Sequence, residues 1–143
     1  MPISERNMVL PGLKGESEMK IFILLSMIFC HIVDDYYLQG WIASAKQKVW
    51  WEKNAPQKLY QKDYLMALLM HSFSWTFMVM LIPSLHSILL GGIWYPALYI
   101  VNIIIHFIVD DLKANKKKIN LIQDQLIHLL QVTVTWFLYF YIY

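Results

Sequence analysis

A chain of 143 residues holds one domain, and one that is 58% hydrophobic and 15% charged lacks the polar surface of a soluble domain, where about 25% of residues are charged. The mean hydropathy of +0.44 points the same way. A formal net charge of +2 gives no general case for nucleic-acid binding, and the single cysteine, Cys30, excludes an internal disulfide and a cysteine-based metal site.

Residues 1–18 read as a polar N-terminal segment of mixed charge. The apolar run that follows, 21–33, imitates a signal peptide, but it contains His31 and leads into Asp34 and Asp35 rather than a small-residue cleavage site. It is therefore read as a retained first span, about 19–45, with Cys30 as a small hydrophobe inside it. The next segment carries Lys46, Lys48, Lys53, Lys58 and Lys62 and is too polar to span. Its Trp50 and Trp51 predict a short amphipathic element lying at the membrane surface.

Residues 64–82 contain no Asp, Glu, Lys or Arg and form the second span. The connection around Gly91 and Gly92 has no lysine, and His86 is assigned to that connection as incidental. The third span covers about 93–113, with Pro96 in its first turn, where a missing N–H is tolerated. Lys113, Lys116, Lys117 and Lys118 follow, and the fourth span covers about 122–143. The expected fold is all-α: a polytopic membrane four-helix bundle in a single domain, residues 19–143. Both lysine-rich loops face the cytoplasm, so both termini lie outside. Trp94, Tyr95, Tyr139, Tyr141 and Tyr143 form an outer aromatic belt, and Trp41, Trp50 and Trp51 an inner one.

Each span carries a polar stripe at helical spacing. His31, Asp35 and Gln39 lie on the first, His71 and Ser74 on the second, and Asn102, His106, Asp110 and Lys113 on the third. Asp124, His128, Gln131 and Thr135 lie on the fourth. This inverts the soluble pattern, with polar groups facing the bundle axis. His71, His106 and His128 each lie within about ten residues of a lysine-rich loop, so at 1.5 Å per residue they share one depth near the cytoplasmic face. The spacing His31-x-x-x-Asp35 recurs as His106-x-x-x-Asp110, each followed by a lysine-rich loop and a further histidine. That recurrence predicts two similar helix hairpins.

Ionised carboxylates and imidazoles inside a membrane need a compensating partner. Nitrogen and oxygen donors together suit a divalent metal, zinc or manganese, in one or two ions. The candidate ligands are His31, Asp35, His71, His106, Asp110, Asp124 and His128. Two ions clamp the attacking and leaving oxygens of a hydrolytic reaction, with Asp34 or Asp111 as the spare catalytic base. Lys46 and Lys113 stand at the cytoplasmic mouth, where they would hold an anionic headgroup or a small phosphorylated substrate, and Gln39 and Gln125 would orient the ligands. The leading expectation is a metal-dependent hydrolase acting on an amphipathic or phosphorylated substrate. A proton- or cation-coupled transporter or channel uses the same residues, and interhelical hydrogen bonds that only specify packing use them as well. A non-catalytic membrane factor that binds a host protein through its lysine loops is the third alternative. The expected partners are the bilayer and its anionic lipids. A homodimer is compatible with so few helices, although no Gly-x-x-x-Gly face marks one.

In chain order the motifs are His31, Asp35, Tyr36, Leu38 and Gln39; then Lys46; His71; His106, Asp110 and Lys113; and Asp124, Gln125 and His128. This order resembles domain-of-unknown-function family 3307, small predicted membrane proteins of bacteria and their phages, over residues 20–130. Tyr36 stands where that family usually has phenylalanine, and Asp34 and Asp111 are acids its pattern does not require. The resemblance implies a multi-pass protein in the inner membrane of a bacterium or of a phage-infected host. It implies no activity.

Overall fold

The structure is a computed structural model that describes residues 11–90 and 95–141, with side chains from residue 15 onward. Trp94 and Tyr143 of the expected aromatic belt, and the connection at Gly91 and Gly92, lie outside the described residues.

Most of the described residues are helical, with no strand among them. Four long helices carry the fold: α1 (Pro11–Val33), α4 (Asp63–Leu89), α5 (Pro96–Ala114) and α6 (Leu121–Tyr141). Two short ones, α2 (Ile42–Ala45) and α3 (Lys48–Asn54), lie between α1 and α4. Each long helix packs against two others, α4 against α1 and α5, and α6 against α5 and α1, closing a four-membered ring.

Local chemistry sets the ends. Beyond Val33 the chain widens into a π-helical turn, Asp34–Leu38, and then reverses at Gly40, whose φ of 51° lies in the left-handed region that favours glycine. The first helical stretch therefore breaks before residue 45, where the sequence reading carried it on. α5 begins with Pro96 in its first turn and is followed by Lys117 at φ 54°. α6 opens with a reciprocal cap. The Gln123 N–H donates to Asn120 Oδ1 at 2.9 Å, and the Asn120 N–H donates to Gln123 Oε1 at 3.0 Å. His86 is not in a connection but in the last turn of α4, with its Nδ1 at 2.9 Å from the Tyr139 hydroxyl.

An apolar core of Ile23, Met27, Trp75, Val79 and Val132 fills one layer of the ring, and Met80, Leu98 and Tyr139 fill another. Many of the remaining buried positions are polar: His31, Asp34, His71, His106, Asp110, Asp124 and His128 are all nearly inaccessible. Outside, Phe22, Phe29, Phe73, Phe77, Ile100 and Leu130 are exposed. Among the described residues, two helical stretches, Gly15–Leu38 and Lys58–Leu89, are long and apolar enough to cross a membrane.

Candidate metal centre

The C-terminal ends of α1 and α5 and the N-terminal ends of α4 and α6 meet at one end of the ring. Each brings residues of its polar stripe to the axis. Asp35 comes from the π-helical turn, His71 from α4, His106 and Asp110 from α5, and Asp124 and His128 from α6.

Two overlapping groups, Asp35–His71–His106 and His106–Asp110–His128, hold their ligand atoms within 4.8 Å of one another. His71 Nε2 lies 3.3 Å from Asp35 Oδ1, 3.3 Å from Asp110 Oδ2 and 3.2 Å from His106 Nε2. His128 Nε2 lies 3.4 Å from Asp110 Oδ1 and 3.4 Å from Asp124 Oδ1. His106 Nε2 is 3.9 Å from Asp110 Oδ1.

These separations bear on two uses of the residues. A good N–H···O hydrogen bond is about 2.9–3.0 Å long. Donors bound at about 2.0–2.2 Å to one tetrahedral ion stand about 3.3–3.6 Å apart. Four of the His–Asp separations, at 3.3–3.4 Å, have the second spacing, while the two Nε2 atoms of His71 and His106 at 3.2 Å also meet the hydrogen-bond limit. His128 Nε2 and Asp124 Oδ1 are buried without a hydrogen bond, although 3.4 Å apart. Unpaired buried polar atoms are costly, and two that face each other at ligand distance fit a shared cation.

Charge points the same way. Asp34, Asp35, Asp110 and Asp124 meet two ammonium groups. Lys46 Nζ donates to Asp110 Oδ2 at 2.6 Å, and Lys113 Nζ donates to Asp124 Oδ2 at 2.6 Å. With neutral imidazoles, two negative charges remain, which is what one divalent cation neutralises. The buried His/Asp cluster can therefore hold a metal ion, and the donor set fits one.

Around the ligand atoms stands a supporting layer. Trp75 stacks on His106, with ring centroids 4.2 Å apart, and His106 stacks on His128 at 4.3 Å. This aligned pile holds the orientation of both imidazoles. Gln39 Nε2 donates to the Asp35 carbonyl oxygen at 2.8 Å, and Gln125 Nε2 reaches Asp124 Oδ2 at 3.0 Å and Asp35 Oδ2 at 3.4 Å. Asn115 ties the lysine loops together, since its Oδ1 accepts from the Lys48 N–H at 2.7 Å and its Nδ2 donates to the Lys46 carbonyl at 3.1 Å.

Three sequence candidates stand elsewhere. His31 adjoins the cluster, but its Nδ1 accepts the Trp75 indole N–H at 2.8 Å. An indole N–H only donates, so this nitrogen is unprotonated and already used. Its 3.5 Å approach to Asp35 Oδ2 is then no hydrogen bond. Asp34 lies behind His71, with Oδ2 3.5 Å from His71 Nδ1 and Oδ1 accepting from Ser74 Oγ at 2.6 Å. That is the position of a carboxylate that orients a ligating histidine rather than one that meets substrate. Asp111 points away from the axis and pairs with Lys116 at 2.9 Å and Asn115 at 3.0 Å. Successive helical residues differ by about 100° in direction, so Asp110 and Asp111 cannot share a face.

Trp75 and Asn115 escaped the sequence reading. Trp75 lies four residues after His71 on the same stripe, a signal that was available. Asn115 carries no comparable signal, because its partners are distant in the chain.

A cavity of about 270 Å³ opens beside the cluster, lined by Asp35, Gln39, Lys46, Asp110, Lys113 and Gln125, with Lys117 also on its wall. Deeper along the axis a second polar layer follows. Gln131 Nε2 donates to Asn102 Oδ1 at 2.9 Å, and Thr135 Oγ1 donates to the same oxygen at 3.0 Å.

No family model, curated protein or solved structure matches the chain.

Proposed function

We propose that this chain is a multi-pass membrane protein and a metal-dependent hydrolase of an amphipathic, phosphorylated substrate that enters from the cytoplasmic leaflet. One observation carries the reading. Ligand atoms from four helices stand at metal-ligand spacing, inside an inverted bundle, beside a cavity walled by lysines.

The membrane part rests on the polar interior and apolar exterior. α5 and α6 have 19 and 21 residues, so at 1.5 Å per residue they reach about 28–32 Å, close to the hydrocarbon thickness. Membership of domain-of-unknown-function family 3307, which rests on the motif order alone, belongs to the same proposal.

A divalent cation, zinc or manganese by its nitrogen and oxygen donors, supplies Lewis-acid charge when bound. His71, His106, His128, Asp35 and Asp110 would hold it. Asp34 fixes the ring of His71 from behind. Lys46, Lys113 and Lys117 line the cavity and bind the anionic head of the substrate. Asp35 reaches both cluster and cavity, with Oδ1 toward His71 and Oδ2 toward Gln125, so Oδ2 can take the proton of the attacking water. The water oxygen bonds to phosphorus, the ester oxygen departs, and the proton passes from Asp35 to that leaving oxygen.

Metal analysis of the purified full chain tests the proposal. The wild type retains a transition metal through purification, and the His106→Ala, His128→Ala double variant loses it. A wild type that carries no more metal than the double variant removes the proposal.

A further inference from the structure

The two oxygens of Asp110 face different ligand sets. Oδ2 lies 3.3 Å from His71 Nε2, whose other carboxylate neighbour at 3.3 Å is Asp35 Oδ1. Oδ1 lies 3.4 Å from His128 Nε2, whose other carboxylate neighbour at 3.4 Å is Asp124 Oδ1. The cluster thus divides into two half-sites, each with one histidine nitrogen, one private carboxylate and one oxygen of Asp110. His106 Nε2 adjoins both.

The half-sites come from different hairpins, Asp35 with His71 from the α1 and α4 side and Asp124 with His128 from α6. The α6 half holds the two facing atoms buried without a hydrogen bond, His128 Nε2 and Asp124 Oδ1. An ion bound only between Asp35 and His71 leaves that pair unsatisfied.

We infer that the centre takes two divalent ions bridged by the Asp110 carboxylate, and that its loaded form binds a phosphate group carrying about two negative charges. The inference rests on the metal-dependent reading above and adds the count, the residues of each half-site and the ligand class. Charge carries the last part. Counted with neutral imidazoles and ionised carboxylates, the metal-free cluster has two excess negative charges, one ion cancels them, and a second leaves two positive charges next to the cavity that Asp35 and Asp110 line. Lys46 and Lys113 lie on the same wall. A phosphate dianion restores neutrality and approaches from the cavity side, where Asp110 joins the two halves; in two-ion phosphoryl sites the ions lie about 3.5–4 Å apart.

The test uses the full chain, purified in detergent, stripped with a chelator and titrated with Mn²⁺. Bound metal is counted and followed by electron paramagnetic resonance, with inorganic phosphate as the probe ligand. The wild type should take two ions and give the exchange-coupled signal of a manganese pair. Phosphate should bind the two-ion form at least tenfold more tightly than the stripped protein. Asp124→Asn should take one ion, give an uncoupled signal and lose the phosphate gain. Asp124→Glu should restore the second ion.

A wild type that saturates at one uncoupled ion overturns the two-ion inference and leaves the metal-dependent reading standing. A wild type that binds none overturns both. Two coupled ions in folded Asp124→Asn overturn the assignment of the second half-site, and two ions without a phosphate gain overturn the ligand class. If Asp124→Asn does not fold, wild-type stoichiometry and signal still decide the count.

Discussion

Individual residues divide here into those that aim at the axis and those that hold the aim. His71 and His106 present Nε2 to the cluster, while His31, spaced from Asp35 as His106 is from Asp110, spends its Nδ1 on the Trp75 indole. Identical spacing therefore gives different roles, because spacing sets the face and neighbouring side chains set what an atom can still do. Trp75 both donates to His31 and stacks on His106. Trp75→Phe should keep the helical fold but lower stability by about 2 kcal/mol, since a buried acceptor left unpaired costs about 1–3 kcal/mol. Thermal unfolding in detergent by circular dichroism measures this, and an unchanged midpoint would show that the indole does not secure His31. The Asp34 and Asp111 assignments failed to reach the cavity for separate reasons. One lies behind a histidine, and the other is turned by helical rotation onto a lysine.

At the scale of elements, the long apolar stretches were legible because a 3.6-residue period with a polar stripe has few other solutions. The break after α1 was not, since no residue before Gly40 forbids helix. The π-helical turn and the reversal bring Lys46 back to Asp110, so this corner positions a cation at the cavity. Gly40 makes the reversal at φ 51°, and a Cβ there would meet nothing nearer than the Leu38 carbonyl at 4.0 Å. The cost of Gly40→Ala is then conformational, about 1 kcal/mol, rather than steric. The expected result is a slightly lower unfolding midpoint together with weaker phosphate binding, as Lys46 loses its support. Phosphate affinity equal to wild type would separate the corner from the cavity. His86 shows the opposite error: the helix runs beyond the 64–82 span, through Pro83, and carries the histidine with it.

For the whole molecule, the buried polar groups and apolar exterior support the membrane reading proposed above, since in lipid the exterior would lose nothing by exposure and the polar groups would stay shielded. Two helical stretches meet the length and hydropathy of a span. The four-span topology proposed here also places both lysine loops on the cytoplasmic side. In a Cys30→Ala background, Gln57→Cys and Lys118→Cys should react with a membrane-impermeant maleimide only after cells are opened, and Leu90→Cys should react in intact cells. Labelling of the two lysine-loop positions from opposite sides would break the topology.

What the amino-acid order determined by itself is the helical class, the polar stripes and the residue types that meet at one depth, because periodicity and charge cost are local properties of the chain. Only the tertiary structure decided which of those residues share an ion-sized space. Ring packing assigned His31 to Trp75, Asp34 to the back of His71 and Asp111 to the surface, and it set the two oxygens of Asp110 between separate histidines. The reason is geometric. Ligation depends on differences of about an ångström between helices far apart in sequence, and those distances come from how the helices pack rather than from spacing along any one of them.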